Sequence, residues 1–218
     1  VGGAVSFISP VGTIDLSTGQ FLPAPTAEVP NPTPIAISTA VSSGALSAAT
    51  VTTAANAIAQ VSALPAATTG LSSAQGTSAL TTLVTQVAQS GNTNTLVNVT
   101  ASAARGNPAQ AAAVVTAATT AAPNSAAQVV STTAAAVQAA VDAGETSQAD
   151  APSSSDLTDA ANDGISASGD TTVETITEAQ VAETPAETPE TEAGDTSEGT
   201  DAPEIEVPND NIVISPSS

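Results

Sequence analysis

The residues with the most evident chemical potential are carboxylates. Asp159, Asp163 and Asp170 stand at positions 1, 5 and 12 of a twelve-residue stretch, with Gly164 at position 6. That is the outline of a calcium loop, in which acid and carbonyl oxygens surround the cation and the glycine permits a sharp turn. The outline is faint. Ala161 at position 3 has no ligating atom, Ser166 fills a position that is usually apolar, and Asp170 replaces the bidentate glutamate that closes such a site. The expectation is no dedicated metal site and only loose association of divalent cations with a polyacid.

Other chemistries lack their parts. The chain has no cysteine and no histidine, and its one cation is Arg105. Thiolate nucleophiles and thiolate-held metals are therefore excluded, as are imidazole bases. Serine and threonine are abundant, yet no histidine or lysine is present to activate one. Paired carboxylates can run acid–base hydrolysis when their separation is fixed. Here 19 of the 21 acidic residues lie from Asp142 onward, in a stretch whose composition reads as mobile. The chain is expected to be no enzyme and to need no cofactor.

A chain of net charge −20 with one cation cannot neutralise a phosphate backbone, so nucleic acid is not an expected partner. Anionic lipid is disfavoured on the same ground. No run of 18 apolar residues occurs, so membrane insertion is not expected. Asn98-Val99-Thr100 is a glycosylation sequon, with significance only in a secreted eukaryotic setting. Arg105 precedes a Gly-Asn turn, where it offsets the dipole of a helix C-terminus; contact with the acidic tail of a neighbouring copy is the sharper reading. Flat threonine faces suit ice or mineral lattices, but Thr81, Thr82, Thr85, Thr116, Thr119 and Thr120 form no single regular row.

The elements that would position these groups follow from a change of character along the chain. From Val29 to Val141 the only charged side chain is Arg105. Residues 1–28 read as a β-hairpin element: Val5, Phe7, Ile14 and Leu16 alternate with small polar residues, and Phe21-Leu22 returns as a second apolar patch, which suggests pairing of the two phenylalanines. Residues 29–43 read as a proline-rich linker. Residues 44–143 read as an uncharged helical repeat region, with helices expected near 44–63, 72–89, 94–104, 109–121 and 124–142. Residues 144–218 read as an acidic disordered tail, low-complexity around Glu183–Glu190 and ending in a small apolar island at Asn211–Ser215.

An internal repeat organises the helical region. Ser78, Thr93, Pro108 and Pro123 recur at 15-residue intervals. On that alignment Val84, Val99, Val114 and Val129 share one column, and Ala88, Ala103 and Ala118 share another, in which Thr133 is the exception. Gly76, Gly91 and Gly106 recur at block ends, as helix C-terminal signals do. The fold class expected is mainly α, a bundle or short solenoid of Ala/Thr/Val-rich blocks; a β-solenoid is the alternative, since threonine and valine also suit strands.

Val29–Val141 holds 23 residues of Val, Ile or Leu among 113, near the lower edge for a self-sufficient globule. An uncharged surface over so thin a core must be covered by a neighbouring block or by another molecule. The functional expectation is a structural protein that associates with copies of itself, with the acidic tail keeping it soluble. A monomeric binding or spacer module, tethered by that tail, is the alternative. Small residues, abundant Ser/Thr and almost no cations point outward, to an extracellular or cell-surface setting. Val1 in place of methionine fits a processed end and a fragment equally.

Overall fold

The computed structural model describes residues 5–9, 12–16, 20–23, 32–69 and 72–184. The low-complexity run after Thr184 and the Asn211–Ser215 island lie outside them. Strands β1 (Val5–Ser9) and β2 (Gly12–Leu16) form an antiparallel hairpin with Phe7 opposite Ile14. Phe21 belongs to a different sheet. It lies in β3 (Gln20–Phe21), opposite Ile35 of β4 (Ile35–Ala36). The two phenylalanines therefore do not pair, because the tight β1–β2 connection uses the nearer strand first. The linker expected to run to residue 43 also ends early: β4 leads directly into α1 (Ile37–Ser42), where Ala40 and Val41 are buried.

The rest of the described chain is helical. Helix α2 (Ala48–Ala63) is capped by Ser47, whose side chain accepts from the Thr50 backbone N–H. A short α3 (Ala66–Thr69) follows. Helix α4 (Ser73–Gln89) opens with a capping box between Ser72 and Gln75, and α5 (Thr93–Gly106) with an Asn92 cap. Helices α6 (Ala111–Ala121) and α7 (Ala126–Asp142) are each entered through one turn of 3-10 helix that starts at a proline, Pro108 and Pro123. Proline suits that place: its fixed φ fits the first turn and its missing N–H had no partner there. The five helices expected from alanine content and spacing are all present. The β-solenoid reading is overturned, because the valines and threonines of residues 48–142 sit in helices.

Packing follows a regular rule. Helix α1 lies on α4, α4 on α6, and α6 on α8 (Ser154–Ser168); beside that row α2 lies on α5, α5 on α7, and α7 on α9 (Glu178–Glu183). Leaving out the short α3, each helix thus meets the one two places along the chain, and the core runs between the rows. The repeat columns face it. Val84, Val99, Val114 and Val129 are all 0% exposed, and each such burial contributes about 1.5–3 kcal/mol. Ala103 and Ala118 of the second column are equally buried, and so is Thr133, whose hydroxyl finds no hydrogen-bond partner.

The three recurring glycines have different tasks. Gly91 is a turn residue with φ +75°, just past the end of α4. Gly76 and Gly106 lie inside helices at crossings: a Cβ on Gly76 would run into the Ser62 side chain, and one on Gly106 would stand 2.6 Å from Asn56 Oδ1. They are small because α2 passes there.

The described fold reaches further into the acidic stretch than composition suggests. Leu157, Ala160, Ala161, Gly164 and Ile165 are buried along one face of α8, the i, i+3, i+4, i+7, i+8 pattern of a core helix. Ser153 and Asp156 form a capping box at its start, and Thr177 with Gln180 does the same for α9. Asn162 holds the intervening loop through both its amide atoms, donating to Ile176 O (3.0 Å) and accepting from Ile176 N (2.8 Å). Val181 is buried, and Ser131 Oγ donates to Thr184 O at 2.7 Å. Residues 153–184 are thus part of the fold, because their few apolar residues fall at helical spacing on an acidic background.

Gly164 lets α8 close on α6: a Cβ there would run into the Thr119 side chain and lie 2.6 Å from the Thr116 carbonyl oxygen. Gly164→Ala is expected to lower stability by about 1–3 kcal/mol in urea denaturation, despite alanine's better helix propensity. Thr133→Val removes a buried hydroxyl without a partner and keeps the shape; it is expected to raise stability by about 1 kcal/mol in the same assay.

Candidate functional site

Polar groups converge in one region, where the ends of α2 and α5 meet the segment after α7. Two residues past the end of α7 stands Gly144, whose φ of +71° turns the chain so that Gly144 N–H reaches Val141 O and Glu145 N–H reaches Ala140 O. That reversal sets Glu145 beside the last turn of α5. There Arg105 grips it with both arms: Nε donates to Oε2 and Nη2 to Oε1, each at 3.2 Å. The guanidinium hydrogen bonds hold the Glu145 carboxyl below its ordinary range, and Glu145 raises Arg105 in turn. Arg105 also sits at the helix end where its charge offsets the dipole. Its partner is a carboxylate of its own chain.

A cleft of about 430 Å³ opens beside this pair, lined also by Gln60, Ala63, Asn107 and Asp150. Beneath it lies a buried polar junction. Ser62 Oγ donates to Ala59 O at 2.8 Å and meets Gln110 Oε1 at 3.2 Å, while Asn107 Nδ2 donates to Ser62 Oγ at 3.4 Å. Gln110 Nε2 reaches on to Ser73 O at 3.3 Å. The junction fastens α2, α4 and the α5–α6 turn together. Its amides and hydroxyls satisfy one another, and none is set beside a base that could activate it. Sequence reasoning passed over Ser62, Asn107, Gln110 and Glu145; short polar residues at helix ends read as caps, and nothing local tells which of them face inward.

The calcium outline does not form a loop. Asp159 and Asp163 lie one turn apart on α8, exposed, and Gly164 and Ile165 are buried inside the same helix. Asp170 follows the helix end and accepts from Thr172 Oγ1 (2.6 Å) and Thr172 N (2.9 Å), bonds that lower its pKa. The helical spacing of Leu157, Ala161 and Ile165 prevails over the loop because it buries them. Among the described residues, no three acidic side chains gather as a metal would require.

Asn98 of the sequon lies within α5 with its Oδ1 buried, and Thr100 is fully buried, its hydroxyl donating to Leu96 O at 2.8 Å. The threonines that resemble a lattice-binding face are turned to their own fold. Thr81, Thr82, Thr85, Thr119 and Thr120 donate to carbonyls three or four residues back, and Thr116 Oγ1 donates across to Ala160 O of α8 at 3.0 Å. No helix among the described residues is long and apolar enough to cross a membrane. No protein-family model matches the chain, and no curated protein or solved structure is significantly similar to it.

The Arg105–Glu145 side chains are 44% and 49% exposed, so solvent screens them and the pair contributes about 0.5 kcal/mol. Because the folded-state pKa of Glu145 is lowered, that contribution is complete above the ordinary glutamate range. It is lost as pH falls through the lowered folded value. Asp156, lowered by its bonds from Ser153, acts in the same direction. Glu145→Gln is expected to cost no more than about 1 kcal/mol at neutral pH and to flatten part of the acid limb of a stability-versus-pH curve.

Proposed function

We propose that this chain is a non-enzymatic structural protein, extracellular or at a cell surface, that associates with copies of itself through its uncharged helical region. The acidic C-terminal part keeps the assembly soluble and loosely collects divalent cations. One observation carries the reading: through residues 32–69 and 72–141 the surface offers alanine, threonine, serine, glutamine and asparagine, and its one charge, Arg105, is already held by Glu145. A surface of that kind sets no like charges against each other where it meets its copy and gives no steering toward a charged partner.

The packing order favours an open stack over a closed bundle. Each helix pair covers the pair before it, as in repeat arrays whose length is set by their end units. We therefore read α1–α2, α4–α5, α6–α7 and α8–α9 as four units of a short superhelical stack.

A monomeric binding module is the second reading, and the cleft beside Arg105 favours it. Its opening combines one cation, two carboxylates and amide groups, a mixture suited to a small polar ligand. Light scattering over a concentration series separates the two. Self-association raises the mean mass with concentration, and added salt strengthens it, since screening weakens repulsion between copies of net charge −20. A mass fixed at the monomer at every concentration and salt level would remove the structural reading.

A further inference from the structure

We propose that the outer face of α2, continued through Leu64 and Pro65, is the contact with a second copy of this chain, the two faces meeting about a two-fold axis. The proposal rests on the self-association reading and names its surface.

Helix α2 opens the second row, with α5 and α4 covering its inner side. Its outer side is covered by no described element. Along it Ala54, Ala57 and Val61 are exposed at helical spacing, and Leu64 and Pro65 extend the surface past the helix end. Val61 at 40% and Leu64 at 51% are the two large apolar side chains that stand exposed among the described residues from Gln20 onward. Single exposed apolar residues are ordinary on a protein surface; here both fall on one stripe, beside alanines that let another helix approach closely.

The opposite end of the stack decides the partner. Its last helix in the first row, α8, presents Asp156, Asp159 and Asp163 to solvent. A repeat array needs polar outer faces on its end units to stay in solution. The α8 end has a charged one, whereas the exposed residues of α2 are alanines, Thr50, Thr53, Gln60 and Val61, none of them charged. Head-to-tail stacking would set α1 and α2 against α8 and α9 and strip the water from the exposed carboxylates of that end, Asp156, Asp159, Asp163, Glu178 and Glu183, with no cation to compensate. Joining α2 to α2 buries no charge, and a two-fold arrangement closes after two copies. The rim is polar, since Gln60 and Ala63 border the cleft that holds Arg105, Glu145 and Asp150. An apolar centre with a polar rim is the ordinary anatomy of a protein contact. One helix face falls well short of the ~800 Å² per partner of a standard interface, so the dimer is weak and concentration-dependent.

Sedimentation equilibrium on the full chain tests this, with Val61→Asp/Leu64→Glu as the variant and Ala135→Asp/Ala139→Glu on exposed positions of α7 as an equal-charge control. Far-UV circular dichroism confirms that each keeps the helical fold. The expected result is a wild-type mass that levels off at twice the monomer. The α2 variant weakens association by about tenfold or more, while the α7 control changes it far less. Wild type that associates equally well with the α2 variant overturns this inference and leaves the self-association reading standing. So does a mass that keeps growing without a plateau, or a control that disrupts association as strongly as the variant. A wild type that stays monomeric at every concentration overturns both; if the α2 variant then also melts earlier, another segment of the same chain covers the face.

Discussion

Every feature of this fold depends on helices coming close enough for small side chains to touch. The chain has only two aromatic residues, and both lie before the helices begin. Its core is valine, alanine and a few leucines, none of which spans a wide gap. Dispersion falls steeply with separation, so a core of short side chains gains its contacts only if the backbones approach. Glycine or alanine at each crossing follows from that. Gly76 and Gly106 face α2, and Gly164 faces α6, each where a methyl group would strike the neighbouring helix.

Close approach also explains where the hydroxyls go. Ser102 of α5 reaches Thr52 O of α2, and Thr116 of α6 reaches Ala160 O of α8. Side chains this short can bond across an interface only when the interface is narrow. The abundant threonine that looks like a surface coating in composition is therefore partly a fastening between successive helices of one row, and elsewhere it folds back on its own helix. The same economy leaves little to spare. Thr133, replacing alanine in its column, meets no partner in a space built for a methyl group.

Charge is arranged around this core by exclusion. Carboxylates desolvated between alanine faces would have no cations to pair with, and along the helical region they begin only at Asp142, the last residue of α7, and continue through the following loop, α8 and α9. Arg105 and Glu145 mark the border. The cation closes one row's helix, and the first turn after α7 returns a carboxylate to it. In the proposed stack one end is acidic and the other uncharged, and the contact inferred between copies follows from that asymmetry.

The helices themselves were legible in the residues. Alanine content, apolar spacing, prolines at helix starts and a 15-residue recurrence of valine are local signals, and local backbone preferences decide them. That the chain holds no cysteine, histidine or lysine was equally a matter of the sequence alone. Tertiary structure decided the rest. It made two of three equivalent glycines crossing points rather than turns, drew Leu157 and Ile165 into the core against an acidic background, and turned a calcium-like outline into a helix face. It also chose Glu145, forty residues away, as the partner of Arg105. Short, similar side chains say little about which neighbour they will meet; that choice is a sum over many weak contacts between distant segments, and only the assembled packing evaluates it.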